Sequence, residues 1–271
     1  ITAPGATSYN QPGGYYNVTV EATNTAGTTG SADASTLEGL KFYVEERVAP
    51  VITILSPSDG AYVSNNQQPV VFTVTDESGG SGVDLDSVVV KLDGTAVSAA
   101  EVTHTAITNG YSFTYTPSAA MGDGAHTVSV EAADNDGNAA AAKSTTFTVD
   151  TVPPALNVTS PAEGLVTATA ALAVSGTTND ATSSPVVITV TLNSADQGPV
   201  TVQANGAFSK TVTLAEGANT IVVTATDAAG KVSTVTRNVT LDTSVPQIVS
   251  AGITPNPAVA GATVTITVVV Q

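Results

Sequence analysis

Three stretches of this chain repeat one another without gaps: GYYNVTVEATNTAGT (14–28), GAHTVSVEAADNDGN (124–138) and GANTIVVTATDAAGK (217–231). A chain that repeats itself on this scale is built from units that fold alike. After a leading Gly, apolar residues fall on alternate positions: Val18, Val20 and Ala22; Val128, Val130 and Ala132; Ile221, Val223 and Ala225. A period of two puts these side chains on one face of a β-strand, with the other face left polar. Each copy then ends in an Asn- or Asp-led turn whose glycine, Gly27, Gly137 or Gly230, tolerates a positive φ.

A second recurrence marks the boundaries. VEERVAPVITILSPSDG (44–60), VDTVPPALNVTSPAEG (149–164) and LDTSVPQIVSAGITPNP (241–257) share one plan: a strand ending in an acid, a Pro, a short apolar strand and a second Pro-containing turn. Proline cannot donate to a central ladder, so it belongs at strand starts, edges and linkers. Pro50, Pro154 and Pro246 stand 104 and 92 residues apart, lengths that suit a seven-strand sandwich. The first full repeat predicts strands near 51–55, 69–75, 87–92, 102–107, 111–116, 126–133 and 144–149. The second predicts them near 155–159, 171–177, 186–192, 198–203, 207–214, 219–226 and 232–241. Turn dipeptides such as Asp93-Gly94, Asn109-Gly110, Asp123-Gly124, Asn205-Gly206 and Glu216-Gly217 separate them.

The expected organisation is therefore the C-terminal part of a repeat at 1–47, full repeats at 48–150 and 151–243, and the N-terminal strands of a further repeat at 244–271. Thr2-Ala3-Pro4 aligns with Tyr115-Thr116-Pro117, so the chain enters one repeat late. The simpler account is a window on a longer tandem array. The alternative is self-association, the two partial repeats completing each other between neighbouring chains as a fibre or surface layer.

Apolar residues make up 42% of the 271, but aromatics only 4%, and there is no Trp, so Val, Ile, Leu and Ala must fill the cores. Charge is sparse and one-sided, 23 acidic against 7 basic residues, a net of −16. That balance excludes nucleic acid as a partner, since phosphate neutralisation needs clustered Lys and Arg, and it attracts cations. The absence of Cys removes disulfides, thiolate metal sites and Cys nucleophiles, and leans toward a prokaryotic surface protein. No stretch approaches the length of an apolar membrane span, so no membrane insertion is expected in this segment. No leader opens the chain, and Ile1 reads as lying mid-protein.

On VDTVPP (149–154), ADNDGN (133–138) and VSVEAAD (128–134), the chain resembles the bacterial Ig-like repeats of large surface adhesins and secreted multidomain proteins. The stretch GAFSKTVTLAEGANTIVVTATDAAGK (206–231) looks like the Ig-like accessory repeats of bacterial glycoside hydrolases and cell-surface stalks. The resemblance implies an all-β fold, tandem immunoglobulin-like β-sandwiches arranged as an extended rod. It also implies an extracellular or cell-surface place and neighbouring repeats of the same chain as partners, often with calcium at the joints.

Asp134-Asn135-Asp136-Gly137-Asn138 is the leading candidate site. Three oxygen-bearing side chains, Asp134, Asp136 and Asn138, alternate around a Gly turn and can converge on a hard cation such as calcium. Asp150, at the end of the same repeat's last strand, is expected at the same pole. Asp227 with Asp242 is a thinner version in the next repeat, with Lys231 in place of the Asn. At the first joint only Asn24 and Glu45 or Glu46 remain. The alternative is that these residues simply make Asx-turns. The four acids of the Gly-rich loop Asp76–Asp86 could hold a cation, but its Gly and Ser residues would have to be ordered, and a solvated connection is the expected reading. His126 aligns with Tyr16 and Asn219 at the start of a repeated strand, a structural position, and His104 lies in an alternating strand without partners. Nothing converges as a catalytic triad would. The expected function is a non-catalytic stalk or spacer of an adhesin-like surface protein, with a segment of a polymeric surface layer, or an accessory array of a secreted polysaccharide-degrading enzyme, as alternatives.

Overall fold

The computed structural model of the chain describes residues 7–11 and 14–271, and among these every regular element is a β-strand except two single-turn 3-10 segments, Glu38–Leu40 and Ala99–Glu101. The Thr2-Ala3-Pro4 correspondence falls outside the described residues. The chain forms two compact units, one built on Ile1–Val152 and the other on most of residues 153–271.

In the first unit, β1 (Tyr16–Asn17), β2 (Val20–Thr23), β3 (Thr29–Ala32) and β4 (Lys41–Phe42) precede a sandwich. β1 pairs with β4 and β2 with β3. The sandwich comprises β5 (Val51–Ser56), β6 (Ala61–Val63), β7 (Val70–Thr75), β8 (Val83–Leu92), β9 (Thr95–Ala96), β10 (Val102–Ile107), β11 (Gly110–Tyr115), β12 (Gly124–Asp134) and β13 (Lys143–Val149). One sheet runs β10-β11-β7-β5 and the other β6-β13-β12-β8-β9. Their inner faces meet in one core. Val70, Phe72 and Val74 from β7 and Phe113 and Tyr115 from β11 pack with Val128 and Val130 from β12 and Phe147 and Val149 from β13. Phe72 and Phe113 stack with centroids 5.0 Å apart.

The second unit repeats the plan with β14 (Ala155–Ser160), β15 (Leu165–Thr167), β16 (Ala171–Asn179), β17 (Val187–Leu192), β18 (Ala195–Asp196), β19 (Ala207–Thr213), β20 (Gly217–Thr226) and β21 (Val232–Leu241). Sheets β14-β16-β19 and β15-β21-β20-β17-β18 close on Val174, Ile188, Val190, Phe208, Val212, Ile221 and Val223. A hairpin of β22 (Ile248–Thr254) and β23 (Thr265–Val270) comes last, exposed along both strands.

The alternation is reproduced where a facing sheet exists: Val128, Val130, Ile221 and Val223 are all buried. In the first copy Val20 and Ala22 are exposed, because β2 has only β3 beside it and no opposing sheet among the described residues. Two other expectations are corrected. Residues 198–203 form no strand, making only the isolated bridge Val202↔Phe208, because Gly198 takes φ +76° and Pro199 has no N–H to give a ladder. The three-residue strands β6 and β15 are additions, pairing parallel with the last strand of each sandwich. They are too short for a period to show.

The two sandwiches solve one turn with different residues. Asp93 accepts from the Thr127 N–H at 2.8 Å, and Asn193 accepts from the Thr220 N–H at 2.9 Å. The repeated strand then presents His126 to Asp93 and Asn219 to Asn193. His126 places Nδ1 2.8 Å from Asp93 Oδ2 and Nε2 2.8 Å from the Gly122 carbonyl. Only the imidazolium donates to both. Burial lowers the His126 pKa, but the Gly122 carbonyl and the Asp93 carboxylate outweigh it and the net shift is upward. For Asp93, burial acts upward, but the Thr127 N–H and His126 hold it below the usual carboxylate value.

Phe72→Ala is expected to cost about 3–5 kcal/mol, read as a lower urea midpoint, whereas Val166→Ala on an exposed edge should change stability by less than about 0.5 kcal/mol. The His126–Asp93 pair also has a definite pH signature. Stability from a raised His126 pKa is complete below the ordinary imidazole value and fades as pH rises through the raised one. Stability from a lowered Asp93 pKa is complete above the ordinary carboxylate value and fades as pH falls through the lowered one. The melting-temperature difference between the native chain and His126→Gln should therefore be largest between about pH 4 and 6.5, and shrink on either side.

Candidate metal centre

The turn after β12 is built by its own side chains. Gly137 takes φ +88°, and Asp134 Oδ1 accepts from the N–H groups of Asp136 (2.9 Å) and Asn138 (2.8 Å) while its Oδ2 accepts from Asn138 Nδ2 (2.8 Å). This is the Asx geometry that the residue types favour. It leaves Asp136 and Asn138 reaching outward to other segments. Asp136 Oδ2 accepts from Ser8 Oγ at 2.6 Å and from the Glu46 N–H at 2.9 Å, and Oδ1 accepts from Asn10 Nδ2. Asn138 Nδ2 donates to the Glu46 carbonyl at 3.1 Å and to Glu46 Oε1 at 3.2 Å. Asn135 Nδ2 donates to the carbonyls of Ser81 and Gly82 at 2.8 and 3.0 Å. One five-residue turn thus ties the segment before the sandwich to the loop between β7 and β8.

A β-bulge between Glu131 and Ala133 prepares this pole. Ser87 Oγ accepts from the Ala133 N–H at 2.8 Å and donates to the Asp84 carbonyl at 2.6 Å, so the interrupted ladder stays satisfied. The loop Asp76–Gly82 then folds over the turn rather than into solvent, correcting the solvated reading: Asp76 and Ser81 are buried.

Within that pocket lie three carboxylates. Ligand oxygens of Glu46, Asp76 and Glu77 all lie within 4.8 Å of one another. Glu46 is 3% exposed and Asp76 7%. Ser81 Oγ donates to Glu46 Oε1 at 3.3 Å, the Val48 N–H to Glu46 Oε2 at 2.5 Å, and the Gly82 N–H to Asp76 Oδ2 at 2.7 Å. Asp76 Oδ1 and both Glu77 carboxylate oxygens are buried without a hydrogen-bond partner. The ion pairs Lys41–Glu38, Lys91–Glu131 and His126–Asp93 all lie elsewhere.

This charge is reflected in the acids. Burial first, then the adjacent Asp134 carboxylate, pushes Glu46 up to about 7 against the Val48 N–H. Burial first, then Glu77, pushes Asp76 up to about 6 against the Gly82 N–H. Burial also acts upward on Asp134, yet Glu46, Asn138 and the turn N–H groups hold it below the usual value. Of the Glu46–Asp134 pair, Asp134 keeps the charge because the turn gives it more donors.

Residues 49–151 match the family described as bacterial Ig-like domain, and residues 154–243 match the family described as glucodextranase, domain B. Each of the two complete sandwiches is thus similar to an Ig-like family of bacterial proteins. No curated protein matches it. Among solved structures, the fibronectin(III)-like modules of Clostridium thermocellum CbhA are 18% identical, over 71% of this chain and 94% of that one, with a TM-score of 0.46. The immunoglobulin domains 1–5 of Sidekick-1 are 12% identical over 85% of this chain, which spans 47% of that one, with a TM-score of 0.42. No helix among the described residues is long and apolar enough to cross a membrane.

The Ig-like topology decides which predicted ligands meet. Asp134 and Asn138 bond to each other, whereas the Asp136 carboxylate turns to Ser8, Asn10 and the Glu46 N–H. Asp150 does not join them: β12 and β13 run antiparallel with Gly124 opposite Val149, so Asp150 sits at the far end of β12, where it is buried and accepts from the Val152 N–H at 3.0 Å. The same hairpin logic parts Asp227 from Asp242, because β20 and β21 pair Thr226 with Val232 and Gly217 with Leu241. Asp242 is exposed and accepts from the Ser244 N–H at 3.0 Å. Asn24 caps its own turn through the N–H groups of Ala26 and Thr28. The cluster of Glu46, Asp76 and Glu77 was missed as a set. Its one sequence signal was a loop with four acids and no base.

Asp136→Ala removes the acceptor shared by Ser8, Asn10 and Glu46 while leaving the core untouched. It is expected to lower the local opening free energy of the segment before the sandwich by about 2 kcal/mol, roughly thirtyfold faster amide exchange at Tyr9 and Glu46. Amides of Val128 and Val130 should exchange unchanged.

Proposed function

We propose that this chain is a non-catalytic spacer, a stalk segment of an extracellular or cell-surface protein of adhesin-like construction, which acts by setting the distance and stiffness between the modules it joins. The observation that carries this reading is the pair of consecutive sandwiches, each with its own closed core and each matching an Ig-like family. A sandwich whose inner faces are filled by Val, Ile and Phe has its chemistry confined to its ends and edges, which suits joining rather than turnover. The strongly acidic surface keeps such an array soluble and apart from anionic polymers.

One observation favours a second reading. The match of residues 154–243 to glucodextranase, domain B, supports an accessory array carried by a secreted polysaccharide-degrading enzyme. In either setting the repeats contribute spacing.

The test is replacement in the full-length protein. Deleting residues 151–243 should reduce the function of the attached module, and an unrelated Ig-like sandwich of the same length inserted there should restore most of it, to within about twofold. If the unrelated sandwich restores nothing, the repeat has a specific role and the spacer reading fails.

A further inference from the structure

We infer that Glu46, Asp76 and Glu77 form a buried binding site for a hard divalent cation, calcium, which fastens the segment before the first complete sandwich to the loop between β7 and β8. Three observations carry this. The carboxylates converge, their ligand oxygens lying within 4.8 Å of one another. Asp76, more than nine-tenths buried, has no hydrogen-bond donor to its Oδ1, and both oxygens of Glu77 are likewise unpartnered. Three acids share a pocket with no basic side chain paired to any of them, among the described residues.

A buried, unpartnered carboxylate oxygen costs free energy unless something positive meets it. Here that something is a proton shared between carboxylates or a metal ion held among them. The ligand set is all oxygen and anionic, the chemistry of a hard cation, and Ser81 Oγ lies beside Glu46 as a further neutral oxygen. Calcium, which accepts about six to eight oxygens in irregular arrangements, suits such a set better than magnesium, which demands a near-octahedral shell.

The backbone is shaped for this convergence. A Cβ on Gly80 would lie 2.6 Å from Asp76 Oδ2 and 2.9 Å from Glu77 Oε1, so a methyl group there would push both carboxylates aside. Gly79 and Gly82, at φ +90° and +80°, turn the chain on either side. Glu46 enters from a segment thirty residues earlier, held by Asp136 and Asn138. A cation here joins two segments that also meet through the Ser81–Glu46 and Ser8–Gly79 hydrogen bonds.

The experiment uses the whole 271-residue chain, freed of metal with chelator and titrated with calcium chloride by calorimetry at pH 7.5. The native chain is expected to bind calcium. The double variant Asp76→Asn/Glu77→Gln should lose one calcium per chain, or bind it at least tenfold more weakly. Gly80→Ala, which displaces the carboxylates without changing charge, should do the same. Asp86→Asn, an exposed acid of β8, should bind as the native chain does. Calcium at a hundredfold excess over its dissociation constant should raise the melting temperature of the native chain by about 5–10 °C, and slow amide exchange at Gly82 and Glu46. Neither response should appear in the double variant. Circular dichroism in chelator checks folding, and if the double variant is unfolded, Gly80→Ala and the single Glu77→Gln carry the comparison. The proposal is overturned if the native chain binds no calcium at millimolar concentration. It is equally overturned if the folded variants bind as many ions with the native affinity, in which case shared protons compensate the cluster.

Discussion

Each sandwich depends on the apolar face of its central strand. β12 lies between β13 and β8, and β20 between β21 and β17, so each is laddered on both edges and covered by the opposite sheet. Val128 and Val130 in one, and Ile221 and Val223 in the other, are fully buried there. In a chain without Trp, these β-branched residues supply the contacts that aromatic side chains often supply, and their restricted χ1 makes the strand a stiff inner wall. Rings are used sparingly. The first core has the stacked Phe72 and Phe113, with Phe147 from the facing sheet, while the second has Phe208.

An eleven-residue strand such as β12 extends roughly 33 Å, so its two ends are separate environments. One end holds His126 and its acceptors. The other holds the turn at Asp134–Asn138. Along that second pole the carboxylates are satisfied unequally. Asp134 has three donors from its own turn, Asp136 collects donors from three other residues, and Glu46 has the Val48 N–H, Ser81 and Asn138. Asp76 has one oxygen served by Gly82 and one by nothing, and Glu77 has neither. The negative charge is therefore best compensated on the turn and least compensated on the loop. That gradient gives the pole its character, since hydrogen bonds alone account for the turn but not for the loop.

The two repeats also show how one backbone position carries different physics. At the start of the repeated strand the first sandwich has His126 against Asp93, and the second has Asn219 against Asn193. Both satisfy the same turn. Only the first depends on pH, because its donor is an imidazolium and its acceptor a carboxylate. A match to a family of sandwiches describes the shared backbone and leaves such substitutions open.

Local chemistry was legible without any coordinates. The period of two in 124–138 and 217–231 determined which side chains point inward, the Pro-bearing boundaries determined where sandwiches begin, and Asp134-Asn135-Asp136-Gly137-Asn138 determined its own turn, since an Asx side chain bonds to N–H groups a few residues ahead. What the tertiary structure decided are the meetings between distant residues. It sent Asp150 to the opposite end of β12, because an antiparallel partner returns the chain to where the strand began. It brought Glu46 to Asp76 and Glu77, residues whose own neighbourhoods say only linker and acidic loop. Periodicity and turn chemistry act over a few residues and can be read in order along the chain. Convergence depends on strand direction and on how each loop closes over its neighbour, and these are settled only once both sheets are packed.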